Sequence, residues 1–338
     1  MALWLHLPIS ENSSIHFSVS FALQASTMLQ MKRKSKKERI RDSTDEAAGL
    51  IASGQKLIAA TDLPAAIAQL RRGAALDPSS GAAQYALGCA WLDAGEAERA
   101  IEILSRLCAS HPQFAARAAE KIAKSEVMRR ANRSPAPYVR HLFDQFAPDY
   151  DRCMLGELCY RAPAILRGLA DMLVAAKPRT LDILDLGCGT GLAGESFKDL
   201  ARRLDGVDLS PGMIGRARVR GIYDEFVIAD VEAVLGQQGR FYDLIVAADM
   251  LVYIGDLGTV FRGAANQLKL GGYFLFTVEK QTGTGYALGP KRRYRHSQSY
   301  VAEEAARAGL EVMGLLECSP RQDAGAPIEG LAAALQRA

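Results

Sequence analysis

Leu181-Asp182-Ile183-Leu184-Asp185-Leu186-Gly187-Cys188-Gly189-Thr190-Gly191 decides the fold. An apolar strand runs here into a Gly-x-Gly-x-Gly turn, and Leu192 to Arg202 behind it can form a helix. Glycines let bare backbone approach a ligand at the positive end of a helix dipole. Asp185 stands at the strand end, two residues before the first glycine, where a carboxylate can face a cation or a hydrogen-bond donor.

Acids recur at later strand ends. Leu204 to Asp208 reads as a second strand, and Asp208 lies 17 residues after Gly191. An acid at about that spacing, ending the second strand of a doubly wound sheet, hydrogen-bonds ribose hydroxyls. Phe226 to Val231 is a third strand with Asp230 near its end, and Tyr242 to Asp249 is a fourth. A fifth runs from Gly271 to Glu279, a helix from 297 to 309, and two last strands cover Leu310–Leu316 and Gly330–Leu335. Strands alternating with helices imply an α/β fold with a parallel sheet.

These residues carry a family resemblance. Asp185 to Gly191 resembles the first motif of class I S-adenosylmethionine-dependent methyltransferases, and Val207-Asp208-Leu209-Ser210-Pro211-Gly212-Met213 resembles their second. Ala229-Asp230-Val231 and Tyr242-Asp243-Leu244-Ile245-Val246 resemble the next two, in the expected order. The resemblance implies a seven-stranded Rossmann-like sheet in the order 3-2-1-4-5-7-6, strand 7 antiparallel, and S-adenosyl-L-methionine as cofactor. It implies that the backbone of Gly187, Gly189 and Gly191, with the small Cys188 between, borders the methionyl and ribosyl parts. Asp185 would hold the α-ammonium and Asp208 the ribose hydroxyls. Leu209 and Met213 would pack on adenine, and Asp230 would accept from its amine beside the Val231 amide. Ala248 completes the cofactor set. Phe143-Asp144-Gln145-Phe146-Ala147-Pro148-Asp149-Tyr150-Asp151 resembles a segment that folds over the cofactor in several small-molecule methyltransferases. Tyr150 is the residue carried over, as a lid at the methionine end. Phe143 and Phe146 read equally well as core packing.

The acceptor should lie past the fourth strand, near Asp249 and Tyr253. Asp249 fits a helix cap as well as a substrate contact. The segment is not the Asn-Pro-Pro-Tyr of amino methyltransferases acting on bases or glutamine. Gln281 to Pro290 reads as a long flexible loop leading to the basic stretch Lys291-Arg292-Arg293-Tyr294-Arg295-His296-Ser297. Arg295 and His296 are candidate substrate residues. His296 is the only histidine after His141 and hence the candidate base. The acceptor expected is a small molecule, acidic or hydroxylated. The alternatives are a protein substrate recruited by the N-terminal repeats and a non-catalytic scaffold that senses cofactor.

Those repeats occupy 46–130. Gly54 and Gly88, Ala66 and Ala100, Leu70 and Leu104, and Pro78 and Pro112 recur at a period of 34. The pattern resembles tetratricopeptide repeats, with helices over 47–60, 63–76, 80–94 and 96–110 and a cap over 113–130. Thr61 stands where the second unit has Gly95. A surface for a protein partner and a packing appendage are both open readings. A proline-containing linker, 131–137, leads to a methyltransferase domain over 138–338, whose first segment, Tyr138 to Leu173, reads as helical. The pairing resembles a bacterial group of tetratricopeptide-containing methyltransferases.

Residues 1–45 read as an extension. Met1 to Gln30 lacks the basic start of a secretory signal and the apolar length of a membrane span. We expect translation to begin at Met28 or Met31, ahead of the basic run 31–39. Net charge is +3, too small to imply nucleic acid. The six cysteines are scattered with no metal-ligand spacing, so no metal is expected and a reducing cytoplasm is the simplest setting.

Overall fold

The computed structural model describes residues 41–58, 62–130, 132–174, 177–237 and 239–338. The segment 1–30, the basic run 31–39 and Thr61 lie outside the described residues. The described chain up to Ala90 clusters with Ile103–Ala118, and Trp91–Glu102 clusters with Ala119–Ala338.

The N-terminal region is helical: α1 (residues 41–58), α2 (Leu63–Leu76), α3 (Gly81–Asp93), α4 (Ala97–Ser110) and α5 (Ala115–Arg130). Asp62 caps α2 by accepting from the Ala65 amide at 3.2 Å. Small residues mark the crossings. A Cβ on Gly54 would lie 2.6 Å from Leu70, and one on Gly88 2.7 Å from Leu104.

The expected continuous helix over 138–173 is broken. α6 (Ala136–Phe146) ends before Pro148, which has no amide hydrogen to continue the ladder. α7 (Tyr150–Arg152) runs into a π-helical turn over Cys153–Glu157, and α8 (Ala162–Leu173) follows. Then come β1 (Leu181–Leu186), α9 (Leu192–Phe197), β2 (Ala201–Asp208), α10 (Pro211–Arg220), β3 (Glu225–Ile228), α11 (Val231–Leu235), β4 (Tyr242–Ala247), α12 (Gly258–Gln267) and β5 (Leu268–Lys280). The expected flexible loop after β5 is instead an ordered hairpin. β6 (Tyr286–Leu288) pairs antiparallel with β7 (Tyr294–His296), and β7 pairs with β5. α13 (Gln298–Arg307), β8 (Leu310–Cys318), the short β9 (Gln322–Asp323) and β10 (Ala326–Pro327), and β11 (Gly330–Arg337) complete the chain.

The main sheet runs β3-β2-β1-β4-β5-β11-β8, parallel up to β5, with β11 antiparallel to both neighbours. Both faces are buried along the central strands β1, β4, β5 and β11, and alternation divides the apolar residues between them. Leu184, Ile245, Phe274, Phe276 and Leu331 pack on one side with α12 and α13. Ile183, Leu244, Val246, Leu275 and Ala332 pack on the other with α8 and Phe197. Phe261 of α12 meets Phe274 edge-on, with ring centres 5.9 Å apart.

Two helical glycines differ in what surrounds them. A Cβ on Gly263 of α12 would fall 2.6 Å from the Leu235 Cβ, whereas one on Gly215 of α10 would meet nothing within 4 Å. Gly263→Ala should therefore destabilise by about 1–3 kcal/mol through overpacking. Gly215→Ala should stabilise by about 0.4–1 kcal/mol through the unfolded chain. Urea denaturation of both variants checks this, and equal shifts would contradict it.

Candidate functional site

The strand order reverses at β1, whose parallel neighbours β2 and β4 lie on opposite sides of it, and ligands bind at such a switch point beyond the strand ends. A cleft of about 640 Å³ opens there. Gly187 and Gly189 line it after β1, Asp208 and Leu209 after β2, Val231 after β3, and Ala248 and Asp249 after β4. Met213 comes from α10, and Tyr150 and Tyr253 close the opposite wall.

The turn is held by strand ends. Gly187 and Cys188 donate to the Val207 carbonyl at 2.8 and 3.0 Å. Gly187, Gly189 and Gly191 all have positive φ, +67°, +55° and +94°. The Gly189 amide donates to Asp208 Oδ2 at 2.9 Å, and the Ser210 amide to Asp208 Oδ1 at 2.8 Å. Asp208 thus shapes the turn while facing the cleft. Burial pushes its pKa up to about 6, against the lowering by these backbone donors.

Asp185 lies elsewhere than expected. It is buried beneath the turn and does not line the cleft. The Tyr223 hydroxyl donates to its Oδ2 at 2.6 Å, and Oδ1 has no hydrogen-bond partner. Burial pushes its pKa up to about 7, opposed by the Tyr223 hydrogen bond and reinforced by Asp208. Cys188 is buried too, and Gly191 turns its α-carbon toward Arg220 and Tyr223.

Asp230 is engaged by the chain itself. Arg133 donates from one terminal nitrogen to Oδ1 at 3.1 Å and from the other to Oδ2 at 2.6 Å, while also pairing with Glu232. The expected linker is accordingly structured. Arg133 bridges antiparallel to Ile254, and the Ser134 amide donates to the Tyr253 carbonyl at 2.8 Å.

The segment Phe143–Asp151 is pinned at both ends. Asp144 accepts from the Ser210 hydroxyl at 2.5 Å and the Gly212 amide at 3.0 Å. Asp151 accepts from the Thr190 hydroxyl at 2.5 Å and pairs with Arg220. Between them Tyr150 packs edge-on against Phe143 and Phe146, with ring centres 6.2 and 5.3 Å away, and Phe143 meets Tyr253 at 5.5 Å. Burial pushes the Tyr150 phenol well above its ordinary pKa.

Asp249 occupies a left-handed conformation, φ +57°, sparsely populated by residues other than glycine. Its amide donates to the Thr277 hydroxyl at 2.8 Å. Arg321, 1% exposed, donates to Asp249 Oδ1 at 2.6 Å and pairs with Glu279 through its other terminal nitrogen. Burial raises the Asp249 pKa and Arg321 offsets part of the rise. Nothing in the loop around Arg321 marks it in sequence, since Asp249 lies 72 residues away.

Arg295 and His296 lie outside the cleft. Alternation along β7 turns Arg295 outward, its Nε 3.8 Å from Glu279. His296 points inward, fully buried, with Nε2 3.0 Å from the Gly255 carbonyl and its ring stacked on Tyr300 at 5.9 Å. Burial lowers its pKa to about 4. It is withheld from any molecule in the cleft, contrary to the expectation of a base there.

Residues 184–276 match the family model described as a methyltransferase domain. The chain carries a class I S-adenosylmethionine-dependent methyltransferase domain. S-adenosyl-L-methionine is its cofactor. A ubiquinone biosynthesis O-methyltransferase of Xanthomonas axonopodis pv. citri is 28% identical over 116 residues, 33% of this chain and 48% of the relative. Human methyltransferase-like protein 27 is 35% identical over 109 residues, 31% of this chain and 44% of the relative. The chain thus spans about half the length of these relatives. Among solved structures the [4+2]-cyclase SpnF superposes with a TM-score of 0.51 at 17% identity, covering 61% of this chain and 98% of the cyclase. That likeness concerns fold alone.

The residues of this methyltransferase domain fit the cofactor. A Cβ at Gly189 would meet nothing within 4 Å, so bare backbone borders open space, and the strand-end acid Asp208 faces the same space. A sulfonium carries an electrophilic methyl group, and the cofactor supplies that chemistry when bound.

Two predictions follow from the buried charges. An Asp pKa near 4 in the unfolded chain and about 7 here means that Asp185 favours folding at low pH. That contribution is lost as pH rises from about 4 through 7. Asp185→Asn should match wild type near pH 4 and gain stability over it by pH 8, on the order of a few kcal/mol. A pH-independent difference in thermal midpoint would contradict the assignment. Arg321→Met leaves Asp249 and Glu279 without their buried cation and should cost about 3–5 kcal/mol at pH 8. The loss should shrink at pH 5, where protonation of Asp249, whose pKa burial raises, relieves part of it; urea melts at both pH values test it.

Proposed function

We propose that this domain methylates a small-molecule acceptor, acidic or hydroxylated, seated between the turn and the Asp249–Tyr253 wall. One observation carries the reading. A single cleft joins the glycine turn and Asp208 at one end to Asp249, Tyr150 and Tyr253 at the other. The relatives named O-methyltransferases favour oxygen as the accepting atom and hence a hydroxylated acceptor.

The chain's contribution is alignment, which can lower a barrier by roughly 7–11 kcal/mol. Tyr150 and Tyr253 present aromatic surface that positions the acceptor and excludes water. Held between the glycine turn and Asp208, the cofactor would supply the electrophilic methyl group, and Asp249 would take the proton that the acceptor hydroxyl gives up. Arg321 holds Asp249 Oδ1, and burial brings the carboxyl pKa nearer to working pH, as suits a base. A carboxylate acceptor would need no base. We read the helical N-terminal region as tetratricopeptide-like, packing on its neighbours or presenting a surface to a protein partner.

Asp208→Asn should weaken S-adenosylmethionine binding by about 1.5–3 kcal/mol, as the charged hydrogen-bond acceptor is lost; calorimetry reads this, and equal affinities would sink the assignment. Label from methyl-tritiated cofactor should appear in the small-molecule fraction of a cell extract. Label in protein instead would favour recruitment of a protein substrate. Binding without transfer would favour a sensing scaffold.

A further inference from the structure

Arg133 was not among the residues that the motifs marked, yet it lines the cleft beside Val231 and Ile254. Its position is set by backbone. Residues 132–134 lie along 253–255, with the Gly255 amide donating to the Asn132 carbonyl at 2.7 Å and the Ser134 hydroxyl to the Arg292 carbonyl at 2.5 Å. The guanidinium grips Asp230 through both terminal nitrogens, a fork-to-fork geometry that fixes its plane. Asp230 also accepts from the Glu232 amide at 3.0 Å, so three of its roughly four lone-pair sites are taken. Arg133 Nε is the one part of the fork that is buried without an acceptor.

We propose that Arg133, and not a free Asp230 carboxylate, recognises the base of the cofactor. The proposal rests on the methyltransferase reading above. A free carboxylate would accept from the 6-amino group and repel an oxygen in its place. A guanidinium reads what all purines share: ring nitrogens that accept hydrogen bonds and a face on which its plane can stack. The base end is therefore tolerant at position 6, and tolerance depends on the Arg133 clamp that keeps Asp230 occupied.

The test is calorimetry on the full chain with S-adenosylhomocysteine and its 6-oxo analogue, S-inosylhomocysteine. Wild type should bind the two within about fivefold. Arg133→Met frees Asp230 and should raise the preference for the amino form to tenfold or more, the range of one charged hydrogen bond. Should Arg133→Met fail to fold with two acids left unpaired, Arg133→Met/Asp230→Asn removes the strain. That double variant should bind both ligands at least about tenfold more weakly, with no new preference. A preference above about thirtyfold in wild type, unchanged in Arg133→Met, would overturn the proposal. So would a double variant that binds both ligands as tightly as wild type. If wild type bound neither ligand, the methyltransferase reading itself would fall, a result distinct from either.

Discussion

The bond from the Gly189 amide to Asp208 is the constraint on which the site depends. It ties the turn after β1 to the end of β2, and it forces the turn through three glycines with positive φ. A carboxylate that must accept from two amides cannot move, so whatever it presents to the cleft is presented rigidly. The cost is electrostatic, because the same burial that fixes Asp208 opposes its charge. A bound donor restores part of the lost solvation, which is how such a group turns burial into affinity.

Neighbouring acids meet the same cost in different ways. Asp151 is paired with Arg220, Asp230 with Arg133, and Asp249 with Arg321. Each arginine comes from a segment distant in sequence, so the pairs knit the edge of the sheet together. Asp185 has no arginine, its side-chain partner is the Tyr223 hydroxyl, and burial pushes its pKa up to about 7. Removing one partner of a buried pair strands a charge and is far costlier than the pair is worth. The arginines are thus as much a part of the site as the carboxylates they face.

This division explains what could be read from sequence. Strands β1, β2 and β4 stand out because apolar runs end in acids and glycines, and those signals are local. Asp208 and Asp249 stand out that way, and both line the cleft. Arg133 and Arg321 carry no local signal; their meaning lies in contacts 97 and 72 residues away. His296 shows the converse failure. A lone histidine beside a glycine-rich stretch looked available, but pairing of β6 with β7 makes a strand there and alternation turns the ring inward. The helix expected over 138–173 failed for a local reason, Pro148, whose weight beside strong flanking periodicity was underestimated.

The same fold serves SpnF, described as a [4+2]-cyclase, so the sheet alone cannot determine the reaction. What differs between proteins on this scaffold must lie in the segments laid over the strand ends. Here those are the pinned stretch from Phe143 to Asp151, the residues 132–134 along the loop after β4, and the Arg321 loop reaching Asp249. The first lies against the turn and the start of α10, and the second carries Arg133 to Asp230. The third reaches Asp249. Its arginine holds one carboxylate in the cleft wall and one outside it, Asp249 and Glu279. A change in this loop can therefore alter the surroundings of Asp249 while those of Gly189 and Asp208 remain as they are. The wall is also where the backbone is strained, at Asp249 with φ +57°. Strain of that kind costs about 1–3 kcal/mol and persists only where surrounding contacts over-determine it. Arg321 and Thr277 are those contacts, the first holding the carboxylate and the second the backbone amide.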